Sequence, residues 1–122
     1  ARVTDTDSEF GIATLSFAGG EFRVPAPGLE TGKHLRLRVR ARDVSLALKW
    51  PEDVSVMNIF EGTVTSVSNS DRPQTDVGID VGGAIIWSQI TRRSLSELNI
   101  TPGKQVYAMV KAVAIDDPVA HP

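Results

Sequence analysis

The stretch QVYAMVKAVAI, residues 105–115, decides how the rest of the chain is read. It follows a Pro102-Gly103-Lys104 turn and reads as one long strand. Val106, Ala108, Val110 and Ala112 fall on one face by period-two alternation, and Tyr107, Met109, Lys111 and Val113 on the other. Lys111 is the single charge in this run. A cation on an otherwise apolar strand must find an anionic partner or reach water.

Working outward, the chain punctuates itself with glycine. Residues 11–17 and 21–24 flank Ala18-Gly19-Gly20, and residues 75–81 and 84–90 flank Gly82-Gly83. Extended runs around Gly-Gly read as β-hairpins, because glycine accepts the positive φ of the tight turns that join them. LRLRVRAR, residues 35–42, alternates strictly, with Leu35, Leu37, Val39 and Ala41 inward and Arg36, Arg38, Arg40 and Arg42 outward. Residues 62–68 form a β-branched strand. Ser94 and Glu97 stand three apart, the spacing of a capping box that opens a short helix. Residues 1–10 read as a polar linker remnant and 118–122 as a frayed tail.

The two halves repeat each other in order: Gly-Gly hairpin, Gly-Lys turn, long strand. Residues 35–44 align without gaps on 106–115, which sets Arg40 opposite Lys111 and Ala41 opposite Ala112. Many short strands with glycine turns predict an all-β fold, two tandem OB-like five-stranded barrels with one short helix in the second half. The expected division is a first β half over 11–53 and a second domain over 54–117.

Composition narrows the function. The chain of 122 residues carries a formal charge of −2, which gives no general attraction to nucleic acid or anionic lipid. It has no cysteine, and its two histidines, His34 and His121, lie far apart in sequence. No apolar run approaches the ~20 residues of a membrane span. No Ser, His and acid stand in a recognisable catalytic pattern. GLETGK, residues 28–33, is no phosphate loop: it has three residues between its glycines and leads into a strand, where a phosphate loop needs a helix N-terminus. The arginine stripe has no interleaved aromatic residues for base stacking, so a solvated or protected strand face is its reading.

What remains is a set of donors. Ser55 and Asn58 precede a strand, Ser88 and Thr91 lie beside the second hairpin, and Lys111 supplies a charge. Discrete donors with modest net charge suit a small tetrahedral oxyanion, and charge-assisted bonds are the stronger ones. Each hydroxyl or amide taken singly is equally well explained as satisfying a local turn.

From residue 55 to 115 the chain resembles a molbindin-type, molybdate- or tungstate-binding domain. The resemblance rests on Ser55-Val56-Met57-Asn58, Gly62-Thr63-Val64, Asp80-Val81-Gly82-Gly83, Trp87-Ser88-Gln89-Ile90-Thr91, Ser96-Glu97-Leu98, Pro102-Gly103-Lys104 and Val110-Lys111-Ala112. Residues 11–48, with Phe17-Ala18-Gly19-Gly20 and Arg40-Ala41-Arg42-Asp43-Val44, are similar to the segment preceding this domain in the ATP-binding subunits of molybdate ABC importers. The resemblance implies a regulatory region (TOBE-type) placed after an ATPase domain. It implies a homodimer with the oxyanion at the subunit interface, held by Ser55, Asn58, Ser88, Thr91, Lys111 and the backbone of Ala112. The implied ligand is molybdate or tungstate. No other cofactor is expected, because ATP and magnesium belong to the ATPase domain and this chain has no Walker A sequence. The implied setting is cytoplasmic, peripheral to the inner membrane through a permease. One departure is Met57, where the family usually carries Arg; Met cannot donate to an anion. A ligand-free dimerisation scaffold is therefore the alternative, and an OB-like nucleic-acid module a second one.

Overall fold

The structure is a computed structural model that describes residues 1–26, 28–68 and 71–116. Ten strands follow in chain order: β1 (Arg2–Asp7), β2 (Ile12–Phe17), β3 (Gly20–Pro25), β4 (Arg36–Arg38), β5 (Val44–Ala47), β6 (Asn58–Val67), β7 (Gln74–Val81), β8 (Ala84–Thr91), β9 (Gln105–Val110) and β10 (Ala114–Asp116). Among the described residues a 3₁₀ turn at Ala41–Asp43 and one helix, α1 (Arg92–Glu97), are the helical pieces.

The second half curls into a five-stranded antiparallel sheet of order β5-β9-β6-β7-β8. Its inward face is the alternation expected of half-buried strands: Val64, Val77, Ile79, Val106, Ala108 and Val110 are buried. The two edges meet. Ser88 Oγ, fully buried on β8, donates a 2.6 Å hydrogen bond to the Val44 carbonyl at the start of β5.

The first half repeats that plan in shorter strands. β1, β2 and β3 form one antiparallel sheet, and β4 pairs with β10. A bridge between Arg2 and His34 joins the two pieces, with Val3 N–H donating to Lys33 O (2.9 Å) and Leu35 N–H to Ala1 O (2.7 Å). The spatial order β10-β4-β1-β2-β3 thus mirrors that of the second half. Residues 2–7 are accordingly a strand, where a linker was expected; Val3 is fully buried, and burial of that side chain between β2 and β4 outweighs the polar character of its neighbours.

The long strand expected over 105–115 is two strands. β9 ends at Val110, the last link being Lys111 N–H to Asp43 O at 2.9 Å. Residues 111–113 then cross to the other barrel, where β10 pairs with β4. The run 36–47 does the same in reverse, leaving β4 through the 3₁₀ turn to join β9 as β5. Each half therefore finishes its partner's sheet. The helix also starts earlier than the Ser94–Glu97 spacing implied: Thr91 is its N-cap, and its hydroxyl accepts from Ser94 N–H at 3.0 Å. The expected tail, 118–122, lies outside the described residues.

The barrels meet through Phe17, Phe22 and Phe60, whose ring centroids lie 4.7–5.5 Å apart. The two hairpin turns also touch. A Cβ built on Gly19 would stand 2.3 Å from the Val81 carbonyl oxygen, and one on Gly82 3.1 Å from the Gly19 Cα.

Candidate functional site

Asn58 opens β6 and is 7% exposed. Its side-chain oxygen accepts from Arg23 N–H at 2.7 Å, and its amide nitrogen donates to Arg23 C=O at 2.9 Å. β3 is the edge of its sheet, so the peptide groups of Arg23 that face away from β2 would otherwise be unpaired. The asparagine amide replaces a missing neighbour strand and binds the first barrel to the second. One of its two amide hydrogens stays available.

That junction forms the floor of a cleft of about 370 Å³. Three segments wall it: β3 with Arg23, the approach to β6 with Ser55, Met57 and Asn58, and the crossover with Lys111 and Ala112. Val24, Pro25, Val56 and Val113 supply apolar surface. Arg23 and Lys111 are exposed, and neither makes an ion pair among the described residues. Among the described residues no carboxylate lines the cleft. In a chain of net charge −2, two cations with only neutral donors around them make a local anion-attracting site. Ser55 Oγ and the backbone N–H of Ala112 make no hydrogen bond among the described residues, which leaves both available as donors.

Four of the six expected site residues are thus brought together: Ser55, Asn58, Lys111 and Ala112. Ser88 is not among them. Its hydroxyl is sealed inside the barrel seam and committed to Val44, so it cannot reach an anion in the cleft without opening the barrel. Thr91 is exposed but does not line that cleft. It lines a second cleft with Ser68, Arg72 and Gln74, and its hydroxyl caps α1 and contacts Ser94 Oγ at 3.0 Å. Thr91 lies at the C-terminal end of β8, three residues beyond Ser88, and is not among the residues that line the cleft around Lys111.

Arg23 was missed in the sequence. Alternation in EFRV places it outward, but nothing local reports that residue 23 is stitched to residue 58. Met57 is 48% exposed beside Arg23 and offers no donor. Among the described residues no group of three His, Asp or Glu side chains could hold a metal ion, and no helix is long and apolar enough to cross a membrane.

The family model described as the TOBE domain matches residues 55–116. The molybdenum import ATP-binding protein ModC of Mesorhizobium japonicum is 40% identical over 115 residues, covering 94% of this chain and 31% of that protein. ModC of Rhizobium meliloti is 44% identical over 115 residues, covering 93% of this chain and 32% of that protein. The chain therefore spans about a third of the length of these relatives. Among solved structures, the cytoplasmic molybdate-binding protein ModG, in a form with molybdate bound, superposes with a TM-score of 0.76 at 26% identity, over 88% of this chain and 84% of that one.

Proposed function

The chain belongs to the TOBE domain family, and from that premise we propose that it binds a molybdate or tungstate oxyanion as the regulatory region of an ABC importer's ATP-binding subunit. The observation that carries this reading is the cleft lined by Arg23, Lys111, Ser55 and Ala112, with no carboxylate among its described lining residues. The similarity to ModC and to molybdate-bound ModG supports the identity of the anion. Within this reading the oxyanion domain is the barrel of β5 to β9, behind a first barrel made of β1 to β4 with β10.

That Thr91 and Lys111 line different clefts of one copy supports a homodimer. Two copies packed antiparallel about a two-fold axis would bring the Thr91 end of one against the Lys111 end of the other, producing two equivalent sites. An anion that binds this arrangement better than its alternatives shifts the population toward it, and an attached ATPase, with its permease at the cytoplasmic face of the membrane, slows as the anion accumulates.

Titration calorimetry of the chain with molybdate, tungstate and sulfate tests the reading. Heat with the first two and none at millimolar concentration with any of the three are the opposing outcomes; the second removes the sensor. The exposed Met57 favours a second reading, a dimerisation scaffold without ligand. A dimer by light scattering, silent to anions and not rescued by Met57→Arg, would select the scaffold.

A further inference from the structure

Arg23 belongs to the first barrel, yet it lines the cleft whose other donors come from the second barrel and the crossover. We propose that Arg23 is a direct anion ligand, a second cation opposite Lys111, and that an anion held between them ties the first barrel to the crossover strand. This rests on the oxyanion reading and adds to it a residue and a mechanical consequence.

The position of Arg23 is fixed where its side chain is not. Both of its outward peptide groups are bonded to Asn58, so its Cα is held at the floor of the cleft. The guanidinium is exposed and free of ion pairs among the described residues. It also borders a neighbouring cleft that contains Asp5 and Asp7, and it pairs with neither. A long cationic side chain on an anchored backbone, paired with neither Asp5 nor Asp7, can turn at little cost into the cleft, where no described residue supplies a carboxylate. There its planar fork suits the paired oxygens of a tetrahedral oxyanion better than a point charge would.

The bridge has a mechanical meaning. Lys111 follows β9 of the second barrel, and residues 112–113 lead into β10 of the first. An anion gripped by both Arg23 and Lys111 cross-links the segment that passes between the barrels to the edge strand it runs beside. Binding should therefore slow amide exchange in β3 and across residues 111–113 together.

The test is calorimetry with molybdate on the full chain, with exchange protection read in parallel. Arg23→Gln should weaken binding roughly 10–100-fold, the effect of losing a charged hydrogen bond, and should abolish anion-induced protection in β3. Arg23→Lys should restore affinity to within a few fold. Arg36→Gln, which removes the same charge from a separate cleft lined by Phe17, Phe22 and Trp87, should stay within twofold. Circular dichroism on each variant checks that the fold is intact. Binding by the wild type with Arg23→Gln within twofold of it overturns the role of Arg23 and leaves the oxyanion reading standing. An equal loss in Arg36→Gln reduces the effect to net charge and overturns it too. A wild type that binds neither molybdate nor tungstate removes the oxyanion reading, and this inference with it.

Discussion

The two barrels are built to one plan and differ in what they leave open. In the first, the cation–alanine pair Arg40-Ala41 enters a 3₁₀ turn, where Asp43 N–H bonds to the Arg40 carbonyl and Val44 N–H to that of Ala41. In the second, Lys111-Ala112 lies outside any strand or helical turn and lines a cleft. The first barrel has strands of three to six residues in its sheet pieces, while β6, β7 and β8 run to ten, eight and eight. The comparison shows how a repeat divides its labour. The short copy closes its turn and lends an edge strand as a wall; the long copy keeps its turn open and supplies donors. Neither copy makes the cleft alone.

The sharpest way to break this arrangement is at the contact between hairpins. A methyl group at Gly19 would meet the Val81 carbonyl at 2.3 Å and the Phe17 ring at 2.8 Å, and the carbonyl is backbone that cannot rotate aside. Gly19→Ala should cost about 3 kcal/mol, at the upper end of overpacking penalties, and lower the thermal midpoint by about 10 °C. A midpoint within two degrees of wild type would mean that the barrels do not abut through their turns.

Next comes the polar stitch. Asn58→Ala leaves the N–H and C=O of Arg23 unpaired at a partly buried edge, which should destabilise the chain by roughly 2–3 kcal/mol in urea unfolding. Asn58→Asp keeps the acceptor for Arg23 N–H and loses the donor to Arg23 C=O, so it should fall between the two. If alanine and wild type unfold together, the barrels are held by the aromatic cluster alone.

Lys111→Gln separates the open copy from the closed one. Lys111 is exposed and makes no ion pair among the described residues, so its loss should leave stability unchanged and weaken molybdate binding by about tenfold or more, read by calorimetry. Arg40→Gln, at the matching position of the first barrel, should leave binding unaltered. Equal effects from both would mean that the halves carry equivalent sites.

The fold was largely legible because its signals are local. Gly19-Gly20 and Gly82-Gly83 announce their hairpins, and Val106, Ala108 and Val110 show their buried face by alternation. The resemblance named six site residues, of which Ser55, Asn58, Lys111 and Ala112 line one cleft and Ser88 and Thr91 do not. What sequence could not show were crossings and register. Nothing in VKAVAI marks the departure of the chain at Lys111 toward β4, since alternation continues through the break. Val3 sits among Asp, Thr and Arg, and only its place between other strands makes β1 part of a core. Ser88 has a hydroxyl as good as any for an anion, and its fate is decided by Val44, forty-four residues away. Arg23 was hidden for the same reason, as its partner Asn58 lies thirty-five residues on.

The smallest expected effect decides whether Thr91 serves only its own helix. As the N-cap of α1 its hydroxyl accepts from Ser94 N–H, so Thr91→Ala should cost about 1 kcal/mol of stability. That loss alone does not separate a cap from a ligand donated to a second copy, because alanine removes both. Thr91→Asp does. Aspartate caps a helix as well as threonine or better, and its charge complements the helix N-terminus, so stability should match wild type. The same charge facing an oxyanion across a two-fold interface would repel it and weaken molybdate binding by well over tenfold. A stable Thr91→Asp variant that binds molybdate like wild type would confine Thr91 to capping. The end of β8 would then play no part in the neighbouring copy's site, and each chain would have to hold its anion with the donors around Lys111.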